Sequence, residues 1–319
     1  MIVRSGRRRW SGRRGGGGLA LLLLLLGGCR GDAPPPEAAV EALVLPPDPT
    51  VLRLAGSGTM VPLARALGAA FRAAHPGAPR VVVEDSIGSG GGIRAAVDGA
   101  VDVGMVSRPL SSREAGWPLL VLPIGRDAVV LAKNPDVAVT GLTSAEVVAM
   151  YEGQKRAFAD GTPVAVLLRD RGESANLALD AAIPGMAQAR ERALALGFRV
   201  LYHDDAMAAA LAVTPGAIGV FSLGLQRASR IPIKVLDLDG RTPSAASVRD
   251  GSWPLVRPLC LVIRADRLEH TRRFLEFVVS APSRQVITDV GYLPLDGEAA
   301  AAAARGPRPA VEFTAGARP

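Results

Sequence analysis

At 319 residues, 49% apolar but only 4% aromatic, the chain is long enough for two lobes and too long for one small core. The formal charge of +7 suggests a polyanionic partner, yet Arg4, Arg7, Arg8, Arg9, Arg13 and Arg14 all precede the first acidic residue, and without these six the net charge is +1. The basic excess is therefore a feature of the leader. No lysine or arginine cluster with interleaved aromatics remains, which excludes nucleic acid as the expected partner.

The leader runs from an arginine-rich start through Leu19, Ala20 and Leu21 to Leu26 into Gly27-Gly28-Cys29, the layout of a secretory signal over residues 1–28. Its apolar run is too short to span a bilayer. Leu26-Gly27-Gly28-Cys29 resembles the bacterial lipobox, which implies that Cys29 becomes the lipid-modified first residue of a protein anchored on the periplasmic or cell-surface side of a membrane. The alternative is an ordinary signal followed by a chance cysteine. The other cysteine, Cys260, sits in the apolar run Pro258 to Ile263 and reads as a small buried side chain rather than a disulfide, zinc or nucleophile position. Residues 29–49, with Pro34-Pro35-Pro36 and Pro46-Pro47, read as a flexible tether, and 298–319, rich in alanine, glycine and proline, as a disordered tail outside the core.

Between these ends, Val51 to Ala55 alternates as a strand, and Gly56-Ser57-Gly58-Thr59 opens a helical pattern with Leu63, Leu67 and Phe71 at four-residue spacing. Pro62 suits the first helical turn and His75-Pro76-Gly77 ends the helix. Val81 to Val83 predicts a second strand. It leads into Ser86-Ile87-Gly88-Ser89-Gly90-Gly91-Gly92-Ile93-Arg94, a glycine loop ahead of a short helix from about Ile93 to Val97. Such a loop is either a plain turn or a seat for an anion, because main-chain N–H groups can approach a ligand where no Cβ intervenes. Val101 to Val106 is a third strand delivering Ser107-Arg108-Pro109. Strand, helix, strand, helix, strand in this compass implies a parallel sheet, whose ligands sit at the carboxyl ends of the strands.

Leu119 to Ile124 and Ala128 to Lys133 read as two apolar strands leaving the first lobe. Thr143-Ser144-Ala145-Glu146 has capping-box spacing, and the strand Val164 to Leu168 ends in Arg169-Asp170-Arg171-Gly172-Glu173-Ser174, where Ser174 can cap a helix through Ala182. His203-Asp204-Asp205 precedes an alanine-rich helix; chain-adjacent residues do not converge on one ion, so the aspartates read as helix caps. Strands are expected at Ala217 to Phe221, Ile233 to Leu238 and Pro258 to Ile263, the last returning to the first lobe ahead of a helix from Thr271 to Val279.

In order and spacing, Ala55-Gly56-Ser57-Gly58-Thr59, the glycine loop, Ser107-Arg108-Pro109-Leu110, Pro215-Gly216-Ala217-Ile218-Gly219, Arg257-Pro258-Leu259 and Gly291-Tyr292-Leu293-Pro294-Leu295 resemble the phosphate-binding proteins of bacterial phosphate ABC transporters, from about Leu52 to Leu295. The resemblance implies an α/β, two-lobed periplasmic-binding-protein fold, each lobe a mostly parallel sheet flanked by helices, with the ligand in the cleft. One lobe is expected from residues 50–124 with 255–297, the other from 125–254. By position it places at the anion Ser57, Gly58, Thr59, the main chain of Met60, Ser89, Gly90, Ser107, Arg169 and Ser174. Arg108 reads either as a further ligand, which we prefer, or as a surface charge. Two departures stand out: Glu173-Ser174-Ala175 replaces the family's Ser-Gly-Thr, and no aspartate stands near Ser107. Glu173 is then either the acceptor for the P–OH of hydrogen phosphate, rejecting sulfate through an unpaired carboxylate, or a solvent-facing first-turn acid favoured by the helix dipole.

The function implied is capture of inorganic phosphate and its delivery to an ABC permease by a monomer, without cofactor, metal or covalent chemistry. Another tetrahedral oxyanion, or a sensing role, is the alternative. A phosphatase or serine hydrolase lacks a Gly-x-Ser-x-Gly elbow with a placed histidine, since His75, His203 and His270 all fall at helix edges.

Overall fold

The computed structural model describes residues 48–313. The leader, Cys29 and all of the expected tether but Asp48 and Pro49 lie outside the described residues, as does 314–319. Strand β1 (Val51–Gly56) buries Leu52 and Leu54, and after a single 3-10 turn at Gly58–Met60 the chain enters α1 (Val61–Ala74), with Pro62 in its first turn. One face of α1 buries Leu63, Leu67 and Phe71, and His75 closes it by donating its N–H to the Phe71 carbonyl. Full burial of a side chain such as Phe71 contributes about 1.5 to 3 kcal/mol. Strands β2 (Arg80–Val83) and β3 (Val103–Val106) flank β1 in parallel, with Leu52 opposite Val81 and Ala55 opposite Gly104.

The glycine run is not a loop ahead of a helix. It is the first half of α2 (Gly88–Val97), so the helix begins five residues earlier than its apolar pattern predicts. The reason is packing. A Cβ at Gly92 would lie 2.6 Å from the Gly56 Cα and 2.9 Å from the Ala55 carbonyl oxygen, and one at Gly104 would lie 2.5 Å from the Gly92 carbonyl oxygen. Glycine is what lets the backbone of α2 lie directly on β1 and β3. Gly92→Ala is expected to lower stability by about 1 to 3 kcal/mol through overpacking against main chain that has no room to give, measurable by urea denaturation.

Residues 119–133 form one continuous strand, β4 (Leu119–Lys133), rather than two. Gly125-Arg126-Asp127 does not interrupt it because the returning strand β8 (Val256–Arg264) pairs antiparallel along its first ten residues, with a bulge between Leu259 and Cys260. The main sheet continues in the second half with β5 (Ala165–Arg169), β6 (Val200–Leu201) and β7 (Ala217–Ser222). The sheet order is β2-β1-β3-β8-β4-β7-β5-β6, with β4 and β8 the antiparallel members between two parallel sets. Helices α3 (Ser174–Ala182) and α4 (Asp204–Val213) follow β5 and β6.

The core divides along β4. Leu122 and Ile124 join Leu54, Phe71, Met105, Leu259 and Phe274 on one face of the first set, while Val121 joins Ile93, Val106, Cys260 and Ala310 on the other. From Ala128 onward the strand belongs to a different cluster, built on Leu131, Tyr151, Leu167, Leu179, Met207 and Trp253. Cys260 is buried, and that burial pushes its thiol up to about 12, so it behaves as a small apolar group.

Other boundaries differ from the sequence reading. Residues 233–238 make two short strands, Lys234–Val235 against β4 and Asp237–Leu238 against Gly141–Leu142. The Thr143 capping box is present, with Glu146 answering its backbone N–H. The helix expected at Thr271 begins at Leu268 and runs to Val278. The expected disordered tail is also corrected for its described part: residues 297–304 are helical, Arg308–Pro309 pairs with Val121 and Leu120 of β4, and Ala303 and Ala310 are buried. Alanine is the best helix former, so a composition that looks disordered here forms a short, mostly exposed helix anchored by Ala303.

Candidate functional site

Three consecutive strand ends deliver serines to one place. Ser57 follows β1, Ser89 lies in the first turn of α2, and Ser107 follows β3; all three are buried. The Ser107 hydroxyl lies 2.8 Å from that of Ser57 and 3.4 Å from that of Ser89, and the Ser107 N–H donates to Ser89 Oγ at 3.1 Å. From the second half, Ser174 brings its hydroxyl within 2.9 Å of Ser107 Oγ. Four hydroxyls, each able to donate one hydrogen and accept others, thus converge from both halves of the sheet.

Beside them stand two buried guanidinium groups. Arg169, the last residue of β5, donates from Nη2 to Glu173 Oε2 at 2.8 Å and lies 3.2 Å from Asp204 Oδ1, while its Nη1 is buried without a partner. Arg257, from β8, donates to Thr59 Oγ1 at 2.7 Å, Ser174 Oγ at 2.8 Å and Asp127 Oδ2 at 3.0 Å, and reaches Glu173 Oε1 at 3.3 Å. Asp127 is wholly buried, sits directly across the ladder from Arg257, and accepts the Gly224 N–H at 3.0 Å. Tyr292, from the Gly291-Tyr292-Leu293 turn, donates its hydroxyl to the Thr59 carbonyl at 2.5 Å and so fixes the 3-10 turn that carries Thr59.

Glu173, not Ser174, is the N-cap of α3, accepting the Ala175 N–H. Burial pushes its carboxyl up, but Arg169 and Arg257 outweigh burial and hold it at about 2. It also accepts the Ser174 hydroxyl at 2.9 Å. The free P–OH acceptor expected from the sequence is therefore an ionised counter-ion already engaged by both arginines, and the first-turn acid is partly buried rather than facing solvent. Asp204 is likewise not a simple cap: it leads α4, pairs with Arg169, and is displaced upward in pKa by burial, with Glu173 and Asp127 adding to that effect and Arg169 and Arg257 opposing it. Asp205 accepts the Ala206 N–H.

Three expected ligands are not part of the hydroxyl and guanidinium cluster in this structure. The Met60 N–H donates to the Ser57 carbonyl inside the 3-10 turn, and the Met60 side chain is core. Gly90 is exposed on α2; a Cβ there would meet only the Arg108 Nη2, at 3.8 Å. Arg108 forms a two-point pair with Glu114, both bonds 2.7 Å, and donates to the Pro109 carbonyl. That pair, with the Ser111 capping box, overcomes the desolvation of Glu114 and brings its carboxyl down to about 2. Gly58 stays at the site, facing Asp204 and Ser86.

Arg257, Asp127 and Asp204 are the residues that the sequence reading did not assign to the site. The available signal for the first two was a charge inside a mainly apolar strand, Asp127 beside Arg126 in β4 and Arg257 near the start of β8. The histidines stand apart from the serines: His75 packs on Phe71 and Phe277, His270 bonds the Val51 carbonyl, and His203 is exposed. Among the described residues no His, Cys, Asp and Glu group is placed to hold a metal ion, and no helix is long and apolar enough to cross a membrane.

A family model for the PBP superfamily domain matches residues 44–282. The phosphate-binding protein PstS 2 of Streptococcus agalactiae is 34% identical over 83 residues, so the match spans only about a quarter of either chain, 26% of this one and 27% of that relative. Protein SphX of Synechococcus elongatus is 23% identical over 78% of both. A phosphate ABC transporter substrate-binding protein from Clostridium perfringens, solved with bound phosphate, superposes with a TM-score of 0.68 at 21% identity, covering 77% of this chain and all of that one, a likeness of fold. With three-quarters of its length matched by the family model, on a two-lobed α/β architecture with its polar centre at the strand ends, this chain belongs to the PBP superfamily.

Proposed function

We propose that this protein is an extracytoplasmic solute-binding lipoprotein that captures inorganic phosphate between its lobes and passes it, without covalent chemistry, to the permease of an ABC transporter. The observation that carries the reading is the buried donor set: hydroxyls of Ser57, Ser89, Ser107 and Ser174 with the guanidinium groups of Arg169 and Arg257, one of whose nitrogens, Arg169 Nη1, is buried and unpaired. A tetrahedral oxyanion offers acceptors in all directions, so donors drawn from both halves can replace its hydration shell. The Streptococcus protein is a phosphate-binding protein and the Clostridium protein was solved with phosphate bound.

The lobes of the proposal are residues 50–124 with 255–297 and residues 125–254, joined by β4 and β8, so that closure brings Ser174 and Arg169 onto the first-lobe serines as binding shifts an open to closed equilibrium. Ser57, Thr59, Ser89, Ser107, Arg169, Ser174 and Arg257 are the proposed ligands or ligand-holding groups, and the protein acts as a monomer. Isothermal titration with phosphate, sulfate, arsenate and molybdate tests this. Saturable binding of phosphate is expected; binding of molybdate or sulfate in its place assigns another oxyanion, and no heat with phosphate removes the reading. The anchor rests on Leu26-Gly27-Gly28-Cys29. Cys29→Ser is expected to move the protein from the membrane fraction to the soluble fraction of cells, and retention in the membrane would remove the lipid.

A further inference from the structure

The polar centre of the cleft holds two cations and three carboxylates: Arg169 and Arg257 against Asp127, Glu173 and Asp204. With all five ionised the cluster is net negative before any ligand anion arrives, an arrangement that opposes a dianion in a region of weak screening. Two of the carboxylates are well compensated. Asp127 takes two nitrogens of Arg257 and the Gly224 N–H, and Glu173 bridges both arginines. Asp204 is the exception, because it shares a single nitrogen of Arg169 with Glu173.

Four elements bring charged groups to face Asp204. Arg169 comes from the end of β5, Glu173 from the cap of α3, Arg257 from β8 and Asp127 from β4. On the opposite side a Cβ built on Gly58 would lie 2.6 Å from Asp204 Oδ2 and 2.8 Å from Ser86 Oγ, so the aspartate reaches across from α4 to the turn that carries Thr59. His203, its chain neighbour, is exposed. The start of α4 favours an ionised carboxylate, but burial and the two neighbouring acids raise its pKa on balance.

We propose that anion binding in this cleft is proton-linked through Asp204, which takes up one proton from solvent as a dianion enters. The proposal rests on the phosphate reading given above and adds its stoichiometry. Protonated, Asp204 leaves the cluster neutral, becomes a donor, and gives up its share of Arg169 to the ligand. By linkage, apparent affinity then falls about tenfold for each pH unit in the range where both phosphate and Asp204 are free of the proton.

The test is calorimetry of the purified protein with inorganic phosphate at about pH 8, in two buffers of different ionisation enthalpy, where the difference in heat counts protons. Uptake of about one proton per phosphate is expected for the natural protein, and little or none for Asp204→Asn, which should bind with a much flatter pH profile. Phosphate binding without proton uptake overturns the inference and leaves the function standing, whereas no phosphate binding at any pH overturns the function itself. Undiminished uptake in a folded Asp204→Asn protein, verified by its thermal melt, overturns the assignment to Asp204. The two-buffer measurement on the natural protein needs no variant, so a poorly folding Asp204→Asn does not remove the test.

Discussion

Arg257→Met is expected to weaken phosphate binding by about a hundredfold and to lower stability by about 3 to 5 kcal/mol. The two effects have separate causes. Arg257 donates to Thr59 and Ser174, so it both faces the hydroxyl cluster and holds two of its members in place. Loss of charge-assisted donors explains the affinity. The stability loss comes from Asp127, which has no exposed surface and would be left with only the Gly224 N–H as partner. A buried pair contributes little net stability over an apolar pair, but breaking one side leaves an uncompensated charge. Adding Asp127→Asn to Arg257→Met should therefore recover most of the stability in urea denaturation while affinity stays low in titration. If affinity returned with stability, Arg257 would be a structural residue only; if the single variant bound phosphate normally, its place at the anion would be wrong.

Glu173→Gln is expected to act in the opposite direction on affinity, tightening anion binding about ten- to a hundredfold. Glu173 is an internal anion on the same two arginines that the ligand must engage, and a neutral amide competes for them less. The gain should extend to sulfate, because removal of charge does not discriminate among oxyanions. The ligand-free protein should meanwhile lose on the order of 2 kcal/mol at neutral pH. The sign follows from a folded-state pKa of about 2, below the ordinary carboxylate range. Glu173 contributes its stability above that range and loses it as pH falls toward 2, so the gap between natural and variant proteins should shrink in acid. Parallel titrations with phosphate and sulfate, with thermal melts from pH 7 downward, check both halves. Unchanged affinity for both anions would show that Glu173 leaves the arginines before the ligand arrives.

Much of the first half of the site was legible because its signals are local. Ser57, Ser89 and Ser107 each follow a strand within a few residues, and parallel β-α-β connections place such turns at one end of a sheet. The same locality misled at Gly88 to Gly92, where glycine reads as loop but serves a helix pressed onto two strands. Arg108 also misled: its neighbour Ser107 is at the cluster, but Glu114, six residues on, captures the guanidinium and turns it away. What could not be read locally depends on pairs distant in the chain. Asp127 and Arg257 are 130 residues apart and meaningless singly, and Asp204 meets Arg169 only after β5 and β6 pair in parallel. The tail failed for a compositional reason, since alanine-rich sequence is equally good as a surface helix cover.

The position of Arg257 and Asp127 has a consequence for how the site tolerates change. The two residues are ladder partners on the two antiparallel strands that run between the core clusters. Side chains alternate along a strand, so a one-residue insertion or deletion in either strand turns every side chain beyond it to the opposite face. Such a change would part Arg257 from Asp127 and, in the same step, turn core residues such as Leu122 and Leu259 outward. The anion seat and the core are thus set by one register, and homologues that keep the ligand should keep the lengths of β4 and β8 around this pair.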